Sequence, residues 1–205
     1  MISLIIDTSI SIPTIAIIKD NKVLYRYHEK ISSDMSSKIL PIIDDAVKNT
    51  NIELNDIDKI FVVNGPGSFT GVRIGVTIGK TIAYSLNKEV ISLSSLEFMS
   101  SIDTDKKYII PMIDARRGNV FGAIYDNNLN NIKKDSLINK EELLKDIDDN
   151  YLLVSYDAID NSIIPNQNLI KIINKHINDI GVNPHDLKPN YLKLTEAEEN
   201  RLKND

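Results

Sequence analysis

The chain has 205 residues, a formal net charge of −5 and no cysteine. It therefore forms neither disulfide bonds nor thiolate metal sites, and its acidic balance argues against nucleic-acid binding by this chain alone. Asp7 interrupts the short N-terminal apolar run, and no later stretch approaches the roughly 18 apolar residues of a membrane span, so we expect a soluble cytoplasmic protein. Basic pairs occur at Arg116-Arg117 and Lys133-Lys134, where solvated surface and contact with a polyanion are both open interpretations.

The first thirty residues predict three short strands that form a β-meander. Apolar and polar positions alternate in residues 2–6, 14–18 and 23–27, and Asp20-Asn21 suits the second hairpin turn. A helix is predicted next, capped by Ser32 or Ser33. Its apolar stripe consists of Met35, Ile39, Leu40, Ile42, Ile43, Ala46 and Val47. Pro41 lies within this stripe, so we expect either a kink there or a later start of the helix.

A glycine-rich segment follows the apolar run of residues 59–63. Five of the eight glycines fall between residues 65 and 79, and the order predicts a strand, a tight loop and a helix over residues 72–84. Such a loop binds phosphate on free N–H groups in some proteins. Here Val72 follows Gly71 where a phosphate-binding loop requires lysine, and Thr70 replaces the third glycine of the dinucleotide pattern. Both departures disfavour phosphate binding and favour the alternative, close packing against another backbone.

The predicted helix over residues 72–84 is apolar on almost every side. Gly71, Gly75 and Gly79 recur every four residues and form one stripe, and isoleucines form another. A helix of this kind is buried on more than one side. Two arrangements remain open: a central helix within the chain's own fold, or a helix whose glycine side meets a partner subunit.

The remaining elements are predicted from shorter patterns. We expect a strand near residues 90–93, a short helix capped by Ser94 or Ser95, a helix over residues 140–147, a strand over residues 151–154 and a helix over residues 167–180. The tail from Pro189 to Asp205 is highly charged. It is predicted either to pack back as a helix through Tyr191, Leu192 and Leu194 or to fray.

An internal repeat predicts two lobes. Ile6-Asp7 recurs as Ile113-Asp114, Ala16-Ile17 as Ala123-Ile124, and Asn21 as Asn128, at one constant spacing. Each copy begins with an apolar strand that ends in Asp and continues into a hairpin. We therefore predict a duplicated βββ-α unit with mixed sheets, with lobes at residues 1–102 and 103–205 and a polar linker at residues 101–106.

Two such lobes resemble the actin, Hsp70 and sugar-kinase (ASKHA) superfamily of α/β proteins. In that superfamily the hairpins after the two Asp residues hold the phosphates of ATP, and a glycine pair meets the adenosine. Asp7, Thr8 and Ser9 stand where the first phosphate hairpin belongs. No glycine precedes Gly65, and only Gly181 follows Gly122, so the hairpin is degenerate and we assign no cofactor.

A closer resemblance is to the bacterial TsaB (YeaZ) family, and its motifs span nearly the whole chain. The matching segments are Ile6–Ser9, Ile39–Pro41, Gly65–Gly75, Ile113–Arg116, Pro189–Lys193 and Thr195–Glu198. The resemblance implies a non-catalytic subunit that pairs with a related catalytic subunit, TsaD. With the ATPase TsaE, they place threonylcarbamoyl on the adenosine beside the anticodon of certain tRNAs, so the resemblance implies only indirect contact with tRNA.

The resemblance also implies which surface binds TsaD, and a similar surface can support a homodimer. It corresponds here to two helices of the first lobe. The implied interface residues are Met35, Ile39, Ile42, Ala46, Gly71, Val72, Gly75, Val76, Gly79 and Ala83.

The sequence contains no recognisable catalytic set. TsaD-like subunits carry a His-x-x-x-His metal pair, whereas His28, His176 and His185 are far apart, so we expect no metal site of that kind. Each of these histidines is expected to be a surface residue. The alternative function is an ATP-dependent phosphotransferase of the sugar-kinase kind, with Asp7 or Asp114 positioning magnesium.

Overall fold

The computed structural model describes residues 1–192. The charged tail from residue 193 onward, including Thr195–Glu198 of the family motifs, lies outside the described residues. The first sheet has five strands in the order β3-β2-β1-β4-β5. They are β1 (Ile2–Asp7), β2 (Thr14–Lys19), β3 (Lys22–His28), β4 (Lys59–Val63) and β5 (Val90–Leu93). The first three are antiparallel and the last two run parallel to β1, which makes the sheet mixed.

A second five-stranded sheet repeats this order as β8-β7-β6-β9-β10. Its strands are β6 (Tyr108–Asp114), β7 (Asn119–Asp126), β8 (Asn131–Asn139), β9 (Tyr151–Val154) and β10 (Ser162–Ile163). Strands β6 to β8 are antiparallel, and β9 and β10 run parallel to β6. The predicted duplication and mixed α/β architecture are confirmed, because both sheets are built in the same order along the chain.

Five α-helices complete the described fold, residues 1–192. They are α1 (Met35–Thr50), α2 (Phe69–Ser85), α3 (Ser95–Ser100), α4 (Lys140–Leu144) and α5 (Leu169–His176). Helix α2 links β4 to β5, whereas residues 155–161 link β9 to β10 without a helix. The second copy of the unit is therefore abbreviated.

Several predicted helix ends differ from the structure. Asp34, in the left-handed region at φ 57°, precedes α1 without a side-chain cap, so the prediction that Ser32 or Ser33 caps the helix is wrong. Helix α2 begins at Phe69 because the Ser68 side chain accepts a hydrogen bond from the Gly71 N–H. Helix α5 is shorter than predicted, since Asn168 caps it one residue before Leu169. Pro41 lies in the interior of α1.

The last helix of each lobe packs on the inner face of the other lobe's sheet. Leu169, Ile172 and Ile173 of α5 pack on Ile5, Phe61 and other buried residues of the first sheet. Leu96 and Met99 of α3 pack on Ile109 and Val154 of the second sheet.

The described C-terminal segment also returns to the first lobe. The Asn190 N–H donates a hydrogen bond to the Asn64 carbonyl oxygen at 2.7 Å, and Leu187 joins the core beneath α1 and α2. Residues 169–190 thus pack against the first sheet although they follow the second in sequence.

Candidate interaction surface and a closed interlobe cleft

The loop after β1 is held tightly by the start of α2. The Thr8 hydroxyl donates a hydrogen bond to the Gly71 carbonyl oxygen at 2.6 Å, and the Ser68 N–H donates one to the Ser9 carbonyl oxygen at 2.7 Å. Thr8 and Ser9 are almost fully buried. The segment compared with a phosphate hairpin is therefore covered on this side by the chain's own helix.

The glycine stripe of α2 faces the chain's own sheet. A Cβ atom on Gly71 would overlap the Thr8 carbonyl oxygen, and one on Gly75 would lie 2.5 Å from Thr8 Oγ1. A Cβ atom on Gly79 would overlap the Val62 side chain of β4. The glycines therefore allow the helix to approach β1 and β4 closely. Of the two arrangements left open by the sequence, the structure places the glycine side within the fold.

The structure shows which of the predicted interface residues are accessible. Most of them are interior: Ile39, Ala46, Gly71, Val72, Gly75, Val76, Gly79 and Ala83 are buried. Met35 and Ile42 are partly exposed. The physical reason is that these side chains cover the first sheet, so only the opposite face of the α1–α2 pair is accessible.

The accessible face contains an apolar groove between α1 and α2, with a cavity of about 410 Å³. Its lining residues are Ser36, Leu40, Phe69, Thr70, Arg73, Ile74, Thr77 and Ile78. Leu40 is 55% exposed and Phe69 is 45% exposed, which is unusual for large apolar side chains. We refer to these eight residues as the α1–α2 groove.

An aromatic stack stands at one end of the α1–α2 groove. The ring of Phe69 stacks on the ring of Tyr191, with centroids 4.9 Å apart and an interplanar angle of 24°. The guanidinium carbon of Arg73 lies 5.2 Å from the centroid of the Phe69 ring. The sequence does not single out Phe69 and Arg73 as part of an interaction surface. Tyr191 packs back on the first lobe, as one of the two alternatives for the tail predicts, but described residues 189–192 form no helix.

Asp7, the first candidate phosphate-site carboxylate, is buried at the end of β1. Burial raises its pKa to about 6, although hydrogen bonds from Ser9 partly oppose the shift. One of these joins the Ser9 N–H to Asp7 Oδ1 at 2.8 Å. A carboxylate that positions magnesium must be charged, and burial opposes that charge.

Polar side chains from both lobes form a hydrogen-bonded cluster close enough to Asp7 for its charge to act on Tyr156. The Tyr156 hydroxyl lies 3.2 Å from His28 Nε2 and accepts a hydrogen bond from Gln167 Nε2 at 2.6 Å. The Arg26 guanidinium donates to Gln167 Oε1 at 3.0 Å. Burial raises the pKa of Tyr156, and the nearby charge of Asp7 raises it further. These contacts join β3 of the first lobe to the segment after β9 of the second, so the interlobe cleft is closed here.

Asp114, the second candidate carboxylate, lies at an exposed turn. Its Oδ1 accepts a hydrogen bond from the Arg116 N–H at 2.9 Å, and its own N–H donates to Asp157 Oδ2 at 2.7 Å. Arg116 and Arg117 have positive φ angles of 68° and 56°, and both are exposed in the turn between β6 and β7. The two arginines thus form a small exposed basic spot.

The histidines have protein partners rather than a shared ligand geometry. His28 Nδ1 lies 2.8 Å from Thr14 Oγ1, and the ring of His185 meets Tyr84 edge-on. His176 lies between Glu97 and Asp179, at 2.9 and 2.6 Å. His28 and His176 are therefore partly buried and hydrogen-bonded, which differs from the surface positions expected. Among residues 1–192, no group of three or more His, Cys, Asp or Glu residues has the geometry to hold a metal ion. None of the helices in this range is long and apolar enough to cross a membrane.

Comparisons with known proteins agree with this architecture. The family model described as TsaD, tRNA N6-adenosine threonylcarbamoyltransferase, matches residues 27–156. The TsaB protein of Bacillus subtilis (strain 168), described as a tRNA threonylcarbamoyladenosine biosynthesis protein, is 30% identical over 97% of this chain and 96% of its own.

Two solved structures from Pseudomonas aeruginosa share the fold. The first, described as an uncharacterized protein with similarity to the peptidase YeaZ, superimposes with a TM-score of 0.81 at 20% identity, over 94% of this chain and 99% of its own. The second is YeaZ, with a TM-score of 0.77 at 18% identity, over 93% of this chain and 100% of its own.

The duplicated mixed sheets define an ASKHA-like α/β protein, as the sequence predicted. The match to Bacillus subtilis TsaB extends over nearly the full length of both chains. This chain belongs to the TsaB (YeaZ) family.

Proposed function

We propose that this protein acts in tRNA threonylcarbamoyladenosine biosynthesis as a non-catalytic scaffold that binds and stabilises a TsaD-like catalytic subunit. The curated relatives are named for this biosynthesis, which supports the role. The observation that carries the scaffold proposal is the exposed α1–α2 groove, where Leu40 and Phe69 face solvent between two long helices. Burial of such apolar surface is the main driving force of protein association.

The homology between the two proteins supports a TsaD-like partner. The TsaD family model matches residues 27–156, a range that contains both α1 and α2. A TsaD-like subunit therefore has counterparts of these helices. Two related helix pairs with the same exposed face can pack around an approximate two-fold axis. The same geometry would allow two copies of this chain to form a homodimer when the catalytic subunit is absent.

The closed interlobe cleft supports the absence of an active site. Asp7 is buried with a raised pKa, and hydrogen bonds of Tyr156 with His28 and Gln167 join the two lobes nearby. A phosphotransferase needs a charged carboxylate and room for the nucleotide at this position. In the proposed complex, a TsaE-like ATPase uses the nucleotide and the catalytic subunit binds tRNA in the cytoplasm, so this chain contacts tRNA only through its partners.

A variant with a charge in the groove tests the scaffold proposal. We expect Leu40→Asp to weaken the affinity for the TsaD homologue from the same cell by about 100-fold, because it places a carboxylate in the apolar contact. Titration calorimetry with the purified partner measures the loss. The matched control is Lys38→Gln, which changes the net charge of exposed α1 surface by the same one unit outside the groove. Equal affinities of wild-type protein and a folded Leu40→Asp variant would reject the proposal.

The alternative function, an ATP-dependent phosphotransferase, is tested with the isolated chain. We expect no ATP binding in the micromolar range when ATP and magnesium are titrated into the pure protein. Micromolar binding followed by phosphate transfer, without any partner present, would favour the enzyme over the scaffold.

A further inference from the structure

We propose that the partner helix that fills the α1–α2 groove presents an Asp or Glu carboxylate to Arg73. This inference rests on the scaffold function proposed above and adds the chemistry that the partner must supply. Arg73 is the only charged residue among the eight that line the groove. The other lining side chains are aliphatic, aromatic or hydroxyl-bearing.

Arg73 is held at the groove by aromatic packing. Its guanidinium lies over the Phe69 ring, and the ring of Tyr191, which is distant in sequence, stacks on Phe69. Stacking of this kind orients the planar guanidinium without using its N–H donors. The side chain is thus positioned before any partner arrives.

The donors of Arg73 have no acceptor within the described part of the chain. No hydrogen bond or salt bridge joins Arg73 to any of residues 1–192. A guanidinium carries five N–H donors and stays charged at all relevant pH values. Among residues 1–192, therefore, the donors of Arg73 are left for water or for a partner.

A partner that covers the groove removes part of that water. A charge that loses its solvent without gaining a counter-charge destabilises the complex. A carboxylate matches the guanidinium with two parallel hydrogen bonds, which no neutral side chain does. An amphipathic helix with apolar residues toward Leu40 and Ile74 and one acidic residue toward Arg73 meets both requirements of the groove.

Because the chain as a whole is acidic, the contact with Arg73 sets the position of the partner helix and does not attract the partner over a long distance. The net charge is −5, so the molecule as a whole repels an acidic partner. Only a carboxylate aligned with Arg73 gains energy. The pairing would thus fix the position of the partner helix along the groove.

Charge reversal at Arg73 tests the pairing. We expect Arg73→Glu to weaken partner affinity at least 100-fold, Arg73→Leu about 10-fold, and Arg73→Lys less than Arg73→Leu, with all variants retaining wild-type melting temperatures. Lys38→Glu is the matched control, since it reverses one exposed charge of α1 outside the groove. We also expect salt to weaken wild-type binding more than binding of Arg73→Leu.

The outcomes separate this inference from the proposed function. Loss of binding by Leu40→Asp together with wild-type or tighter binding by Arg73→Glu or Arg73→Leu would overturn the pairing and leave the docking surface intact. Wild-type binding by both Leu40→Asp and Arg73→Glu would overturn the docking surface itself, and the pairing with it.

Discussion

Asp7 illustrates how the surroundings of a single residue decide its chemistry. A carboxylate at the end of β1 can orient magnesium when water and a nucleotide reach it, but here it is buried beside Tyr156 and its pKa is raised to about 6. The hydrogen bond that its Oδ1 accepts from the Ser9 N–H at 2.8 Å keeps the turn after β1 in place. Asp7 therefore stabilises the turn after β1, whereas the resemblance to nucleotide-binding proteins would give a residue at this position a role in binding phosphate and magnesium.

At the same scale, we predict that Gly71→Ala destabilises the protein. The added methyl group would overlap the Thr8 carbonyl oxygen, which is backbone and cannot move aside, so we expect a loss of about 1–3 kcal/mol in the free energy of unfolding. Urea denaturation measures the loss. At an open helical position the same change would stabilise by up to about 1 kcal/mol, so the sign of the effect is informative.

Thr77→Ala is the control for this measurement, because Thr77 lies on the exposed side of the same helix. We expect it to change the stability by less than about 0.5 kcal/mol. A stabilising Gly71→Ala would contradict the close approach of α2 to the loop after β1.

Among the elements, α2 has one face that packs inside the fold and one face that lines the α1–α2 groove. Its glycine face fixes the loop after β1 and packs on β4, while the face with Phe69, Arg73 and Thr77 lines the α1–α2 groove. Helices α3 and α5 instead join the lobes, because each packs on the inner face of the other lobe's sheet. His176, at the end of α5, joins these two helices through Glu97 of α3.

The contact between α3 and α5 predicts a pH-dependent stability. Burial lowers the pKa of His176, but hydrogen bonds and charges from Glu97 and Asp179 outweigh it and raise the pKa above its ordinary value of 6.5. The folded state thus binds the proton more tightly than the unfolded state. The resulting stability is fully present below the ordinary pKa and is lost as the pH rises through the higher folded-state value.

We therefore expect Glu97→Gln to cost roughly 1–2 kcal/mol of unfolding free energy at about pH 5.5 and clearly less at about pH 8.5. Urea denaturation of wild-type and variant protein at both pH values measures the difference. Lys175→Gln, which removes an exposed charge from the same helix, should show no such pH dependence. A Glu97→Gln cost that is the same at both pH values would contradict the charged pair.

At the scale of the whole molecule, each lobe is stabilised by a helix of the other lobe, because α3 and α5 pack on the opposite sheets. The inner face of the first sheet, including Phe61 and Leu93, is covered by α5 and by Leu129 of the second half of the chain. Burial of that face contributes to folding roughly in proportion to its apolar area. The predicted lobe boundary at residue 102 falls between the two sheets. It also separates the first sheet from α5 and Leu129, which pack on its inner face.

We predict that the fragment of residues 1–102 does not fold cooperatively by itself. Its exposed inner face should bind the dye ANS and should give a broad thermal transition in circular dichroism, whereas the full chain should melt in one transition. A fragment that melts sharply and binds no dye would show that the first lobe is an independent domain.

Sequence patterns predicted most of the elements but few of the contacts between them. Alternation, a local signal, predicted the strands of the first meander, and the recurrence of Ile6-Asp7 as Ile113-Asp114 predicted the second meander. The abbreviated second copy was not foreseen, since its missing helix corresponds to a short loop with no pattern of its own. The stack of Phe69 on Tyr191 joins residues from distant parts of the sequence, so no local rule predicts it.

The sequence by itself determined the order of most strands and helices, the two Asp-terminated strands, the absence of cysteine and the need for bare backbone along α2. Only the tertiary structure decided that the glycine face of α2 turns inward, that Tyr156 and Gln167 close the cleft, and that Leu40 and Arg73 remain accessible. The physical reason is that periodicity tells which side chains share a face of a helix. When both faces are apolar, as in α2, only the packing of the whole chain decides which one is buried.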